Sequence, residues 1–300
     1  MVPWQKALAI SIALVVFTPK TASACATCGV GDPTLTSLGA ERPTKNRVRA
    51  SAEFRHRTDS LGQRSVDSIA ITENRIDTNV AWAPSERVFL QLSVPTMFRS
   101  VVYASLAETQ LAALGDMEIR SRVYVLPGRA FRSDHVLALI GGLRLPTALA
   151  QRTRAGDLLP LEAQPGTGSF DPLLGVSYSY FNRAFSLFAS VTGYLPTASR
   201  FQPQTRANAS LRSSLLAQWQ AVQSLALRFG GDVRLDGKAV ENGESVRDSG
   251  GTVLYATTEV LLSPSSDWTA FASVRIPVAQ ALSGFHREGA VIGGGLAFDF

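Results

Sequence analysis

The chain has 300 residues, moderate charge content and a formal net charge of +5. That length accommodates one large all-β unit or two ordinary domains. The basic residues are not gathered into Lys/Arg clusters interleaved with aromatics, so composition gives no ground for a nucleic-acid partner.

Residues 1–24 read as a signal peptide. Lys6 supplies the positive n-region, residues 7–17 the apolar region, and Pro19 breaks the helix ahead of the small-x-small site Ala22-Ser23-Ala24. The apolar run falls short of the ~20 residues a spanning helix needs. No later stretch holds ~18 continuous apolar residues, so any membrane crossing falls to strands. Cys25 and Cys28 are the only cysteines. Their spacing leaves three readings open: a local disulfide, lipidation of Cys25 after cleavage, or a metal or redox site. Two thiolates with no neighbouring His cannot by themselves complete a tetrahedral zinc site, and no His follows as haem attachment requires, so no cofactor is expected. Residues 25–45 lack alternation and form either a periplasmic lead-in or a small plug.

From residue 46 to the end the pattern is period-two alternation, the mark of β-strands. Val48, Ala50, Ala52 and Phe54 oppose Arg47, Arg49, Ser51, Glu53, Arg55 and Arg57. Further strands are predicted over 74–82, 87–98, 116–126, 134–145, 173–181, 184–195, 207–220, 224–236, 251–262, 267–276 and 288–300. Connections alternate in length between them. The short ones are 83–86, 127–133, 182–183, 221–223 and 263–266. The long ones are 58–73, 99–115, 146–171, 196–206, 237–250 and 277–287. Strict alternation of short turns and long loops is the rhythm of an all-β, antiparallel up-and-down transmembrane barrel of about 12 strands, 10 to 14 at the limits. A sandwich with Greek-key crossings would not keep it.

Several junctions resemble a known family. They are Ala81-Trp82-Ala83-Pro84-Ser85-Glu86-Arg87 before a strand ending Val94-Pro95, Leu114-Gly115-Asp116, and Gly142-Leu143-Arg144-Leu145-Pro146-Thr147. Gly166-Thr167-Gly168-Ser169-Phe170-Asp171-Pro172 and Tyr194-Leu195-Pro196-Thr197 complete the set. Together they resemble the outer-membrane channel family associated with meta-pathway phenol degradation. The resemblance covers 47–300 and implies a bacterial outer-membrane barrel passing small molecules, aromatic ones among them. The C-terminal strand, apolar at Leu296, Phe298 and Phe300, resembles the signal read by the barrel-assembly machinery.

Charge on the lipid face costs ~2–4 kcal/mol at the bilayer midplane, so charged residues are expected inside. Candidate selectivity residues are Arg47, Arg49, Glu53, Arg55, Arg57, Glu118, Arg120, Arg122, Arg228, Asp232, Arg234, Glu259 and Arg275. Arg144, Arg212, Asp77 and Asp299 share their parity. Two readings stand: cross-strand ion-pair ladders filling a narrow barrel, or an arginine-rich lumen favouring anions. Trp82, Tyr178, Tyr180, Trp219, Trp268 and Phe298 read as a lipid-facing girdle. His56, His135 and His286 have no Ser or Cys placed to form a catalytic constellation, so no enzyme is expected. The expected partners are outer-membrane lipid, the assembly machinery and a small-molecule solute. The alternative is a scaffold barrel with an occluded lumen, whose cysteine pair or loops bind a partner or metal.

Overall fold

The computed structural model describes residues 45–62, 68–125, 135–152, 156, 158–159, 164–182, 184–202, 204–246 and 249–300. The signal peptide, Cys25, Cys28 and the lead-in to residue 44 lie outside the described residues.

Twelve staves close into one antiparallel barrel. They are β1 (Val48–Leu61), β2 (Ile69–Ser85), β3 (Val88–Tyr103), a fourth stave in two parts, β4 (Glu108–Leu114) and β5 (Met117–Tyr124), then β6 (His135–Leu145), β7 (Asp171–Asn182) and β8 (Phe185–Tyr194). The circuit continues through β10 (Ser210–Val222), β11 (Leu225–Asp236), β14 (Gly251–Leu262), β15 (Trp268–Leu282) and β16 (Arg287–Asp299). Three two-residue strands, β9 (Thr205–Arg206), β12 (Val240–Glu241) and β13 (Glu244–Ser245), form a separate small sheet on the loop side. Each stave pairs with its neighbour in the chain. β1 closes on β16 from Arg49 opposite Asp299 to Ser60 opposite Arg287. At the seam the Phe300 amide donates to the Val48 carbonyl at 2.9 Å.

The two faces follow the alternation. On β2, Ile76, Val80 and Trp82 are exposed on the outside while Asp77 and Asn79 are buried inside. Outward Leu, Val, Ile and Phe side chains recur on every stave, from Phe54 on β1 to Ile292 and Leu296 on β16. Trp82, Trp219 and Trp268 project outward within a few residues of the short turns. There Trp219 lies opposite Phe185, and Trp268 opposite Phe298. This is where amphipathic rings sit at a membrane interface. His135, at the same rim, bonds the Tyr178 hydroxyl at 2.7 Å and packs against Tyr180.

Three connections read as long loops are largely strand. β1 runs to Leu61 and β2 starts at Ile69, β3 and β4 flank a turn at 104–107, and β15 and β16 flank one at 283–286. The alternation fades because these segments rise past the apolar band. Several outward positions in or beside them are polar, such as His56 bonded to Asn74 at 2.9 Å and Ser100 to Glu108 at 2.8 Å. One side of the barrel therefore stands taller than the other.

Irregularities reset which residues face inward at more than one place, and two of them bear directly on the inner wall. The fourth stave breaks at Gly115 and Asp116, so odd positions Leu111 and Ala113 are the more covered before it and even positions Arg120 and Arg122 after it. A register shift between Arg57 and Asp59 turns Glu288 of β16 inward, where it is buried. Bulges of this kind re-aim side chains at barrel rims.

Tight curvature also limits side-chain size on the inner wall. A Cβ at Gly230 would collide with the Leu215 carbonyl and meet Leu216 Cα at 2.8 Å. Gly230→Val is expected to lose about 1–3 kcal/mol of stability. A lowered urea midpoint for the folded barrel in micelles would show it, and an unchanged midpoint would contradict it.

Candidate functional site: the barrel lumen

The inner wall is built in tiers. At the short-turn rim it is apolar. Ala81, Ala83, Phe89, Tyr124, Val136 and Ala138 form one buried cluster, with Phe181 packed against it. Phe181 also reaches Phe188 and Leu216, and Ala226, Leu261 and Phe271 carry the collar round β11, β14 and β15. Set into this collar is a charged group on three adjacent staves. Arg228 donates to Glu259 at 3.0 Å and to the Gln218 side-chain oxygen at 2.9 Å, with its guanidinium 4.9 Å from the Phe188 ring centroid. Arg228 and Glu259 are both about 1% exposed. Register explains the group, because Gln218 faces Arg228 and Arg228 faces Glu259 across the ladders.

Above the collar the wall is a lattice of ion pairs. Asp77 binds Arg55 and Arg75, and Glu53 lies 3.6 Å from Arg55. Beside them, the Gln91 amide donates to Asn79 at 3.0 Å. Asp232 accepts from Thr257 and faces Arg275 at 3.9 Å. Glu118 holds Arg120 at 2.5 Å, and Arg144 bridges Glu118 and Asp171 at 3.6 and 3.1 Å. At the seam, level with the collar, Asp299 gathers Arg47 and Arg49. Arg122 points inward and is 1% exposed.

In the loop-side tier Glu73 binds Arg57 and Arg99 on its two neighbouring staves, while Glu288 reaches past β15 to Arg234 and the Tyr255 hydroxyl. His286 stands 3.9 Å from Glu288. The connection between β6 and β7 folds back onto this tier. Leu159 packs with inward Ile71 and Val101, and Arg99 donates to the Gln164 carbonyl at 3.0 Å. Its base is fixed by Asp116, whose carboxylate accepts from Ala148 N at 3.0 Å and from Thr167 and Gly168 N at 3.2 Å. Gly168 adopts φ +64° there, a conformation that favours glycine.

All thirteen candidate selectivity residues lie on the inner face, and the lattice links most of them pairwise. Leu296, Phe298 and Phe300 lie on the outer face, with Phe298 4.8 Å from Trp268 and 4.5 Å from Phe300 between ring centroids. Sequence reasoning missed Glu73 and Arg99, which fell in presumed loops, and Glu288, which a bulge turns inward. It also missed the apolar collar, although inward parity at Phe89, Tyr124, Phe181 and Phe188 was the available signal. Among the described residues no group of three or more potential metal ligands is present.

A closed cylinder with an apolar exterior, an aromatic rim and an ion-paired interior is the fold of an outer-membrane β-barrel. No family model matches the sequence. No curated protein matches it either. Among solved structures, an outer-membrane channel from Pseudomonas putida F1 superposes with a TM-score of 0.66 at 12% identity, covering 87% of this chain and 97% of that one. The transport unit of the autotransporter AIDA-I from Escherichia coli reaches 0.51 at 9% identity, over 86% and 90%. The translocator domain of the autotransporter NalP from Neisseria meningitidis reaches 0.50 at 9%, over 87% and 90%. At these identities the likeness is one of fold.

The buried pair supplies a test. Removing one partner of a buried ion pair costs about 3–5 kcal/mol, because the other charge is stranded. Glu259→Ala should therefore destabilise the barrel by that amount in a urea titration. Arg228→Met combined with Glu259→Met should recover most of the loss, and equal loss in the single and double variants would refute the pairing.

Proposed function

We propose that this protein is an exported outer-membrane channel for the passive passage of small solutes. The carrying observation is the inner wall, where a continuous lattice of charged and hydrogen-bonding side chains lines a cylinder whose outside is apolar. The fold likeness to the Pseudomonas channel, over nearly the whole of both chains, supports the same reading. The sequence resemblance to channels of meta-pathway phenol degradation supports small aromatic solutes as cargo. In this reading the thirteen inward candidates set selectivity. Residues 1–24 direct export, and Leu296, Phe298 and Phe300 present the assembly signal.

Two seals favour a second reading, a scaffold barrel with a closed lumen. One is the apolar collar at the short-turn rim. The other is the β6–β7 connection seated on Ile71 and Val101 through Leu159. Recording from purified protein in a planar bilayer separates the two. Discrete conductance steps support the channel, and a silent bilayer supports the scaffold. Leu159→Asp, which puts a charge against apolar Ile71 and Val101, should raise the mean channel conductance. Unchanged conductance in that variant would show that the seat does not restrict passage.

Phe300→Asp should lower the amount of assembled barrel in outer-membrane fractions several-fold while the exported chain still reaches the periplasm. Normal membrane levels would count against the assembly role.

A further inference from the structure

Arg212 stands apart from the other inward arginines. Its side chain is exposed to the lumen, and no carboxylate lies within ion-pair distance of it among the described residues. Its contact is with Tyr194 at the loop-side end of β8, the guanidinium carbon lying 4.8 Å from the ring centroid. Arg144 lies at the same distance from that ring, and Arg120 donates to the Tyr194 hydroxyl at 2.8 Å. The nearby acids are engaged elsewhere. Glu118 and Asp171 serve Arg120 and Arg144, while Asp236 and Glu288 serve Arg234.

Register adds a second observation: opposed arginines Arg55 and Arg75 share Asp77, but the next such pair shares no acid. Arg212 and Arg234 occupy directly opposed positions on β10 and β11. Like charges at opposed positions repel, so sheets ordinarily avoid the pairing. Here one member is neutralised by its own acids, and the other is left with its planar fork of donors facing the lumen. An aromatic ring fixes that fork, which lowers the entropy lost on engaging a ligand. A guanidinium presented in this way matches a carboxylate, which takes two parallel N–H bonds.

We propose that Arg212, held on the Tyr194 ring, is a binding subsite for small carboxylate anions in the loop-side half of the lumen. It deepens the channel reading, since it gives a permeating anion a place to pause. Its binding is measurable whether or not the barrel conducts.

The test is calorimetric titration of malonate into the full-length barrel folded in detergent micelles, with malonamide as the uncharged counterpart. The native protein should bind malonate saturably and ignore malonamide. Arg212→Gln should weaken malonate binding about tenfold or more, the loss of one charge-assisted contact. Arg212→Lys keeps the charge but not the fork, and should fall between the two. Heat-modifiable migration on gels confirms that each variant is folded. Equal affinity in native and Arg212→Gln barrels, or no saturable binding by the native protein, overturns the subsite. The channel reading fails separately, through a silent bilayer from protein that still binds malonate.

Discussion

A bilayer interior offers no water to a peptide group, and each unsatisfied N–H or C=O there costs several kcal/mol. Strands can enter it only as a sheet without edges. The pairing of β1 with β16, register-true from Arg49 to Arg57 before one shift, meets that condition. Closure in turn defines an inside and an outside, and the two-residue period then sorts every side chain. Most Leu, Val and Ile go out to lipid, and the exceptions include those of the collar and of the seat under Leu159. Arginines and carboxylates go in, where they can find each other.

Sorting by parity concentrates charge in a narrow space, and the lumen manages that concentration by pairing along the ladders. Neighbouring inward positions on adjacent staves are close enough to bond. Arg228 with Glu259 and Arg57 with Glu73 each follow directly from register. Exceptions arise where tyrosines intervene. Tyr194 gathers three arginines on one patch of wall, and Tyr255 shares Glu288 with Arg234. The lumen is thus neutralised pair by pair, with Arg212 left to its ring.

Much of this was legible in the sequence. The alternation 48–54 against 47–57, repeated along the chain, was enough to read an all-β barrel with the observed strand number and with short turns on one rim. The inward parity of Arg55, Arg120 and Arg228 came from the same rule. What parity could not reveal was any point where the count slips. Gly115 and Asp116 break the fourth stave, and the shift at Arg57 and Asp59 carries Glu288 to the inside. Glu73 and Arg99 escaped because the strands continue beyond the lipid, where the outer face turns polar and the hydrophobic beat stops. The partners of Arg144 and Arg212 depend on how the β5–β10 wall curves, which a one-dimensional pattern does not encode.

The seam has a consequence for the order of events during assembly. Every other stave pairs with its neighbour in the chain, so each hairpin closes a loop far shorter than the whole barrel circuit. The contacts of Arg47 and Arg49 with Asp299 bridge 252 and 250 residues. Loop-closure entropy grows as the logarithm of length, and a span of that size costs roughly 5 kcal/mol against about 1 kcal/mol for a tight hairpin. Long-range pairing of this kind is slow relative to local pairing. Until it forms, β1 and β16 are two bare edges that lipid cannot tolerate and that any other strand can capture. The last bond made is therefore the one that commits the sheet to the membrane, and the interval before it is when the chain is most exposed to mispairing.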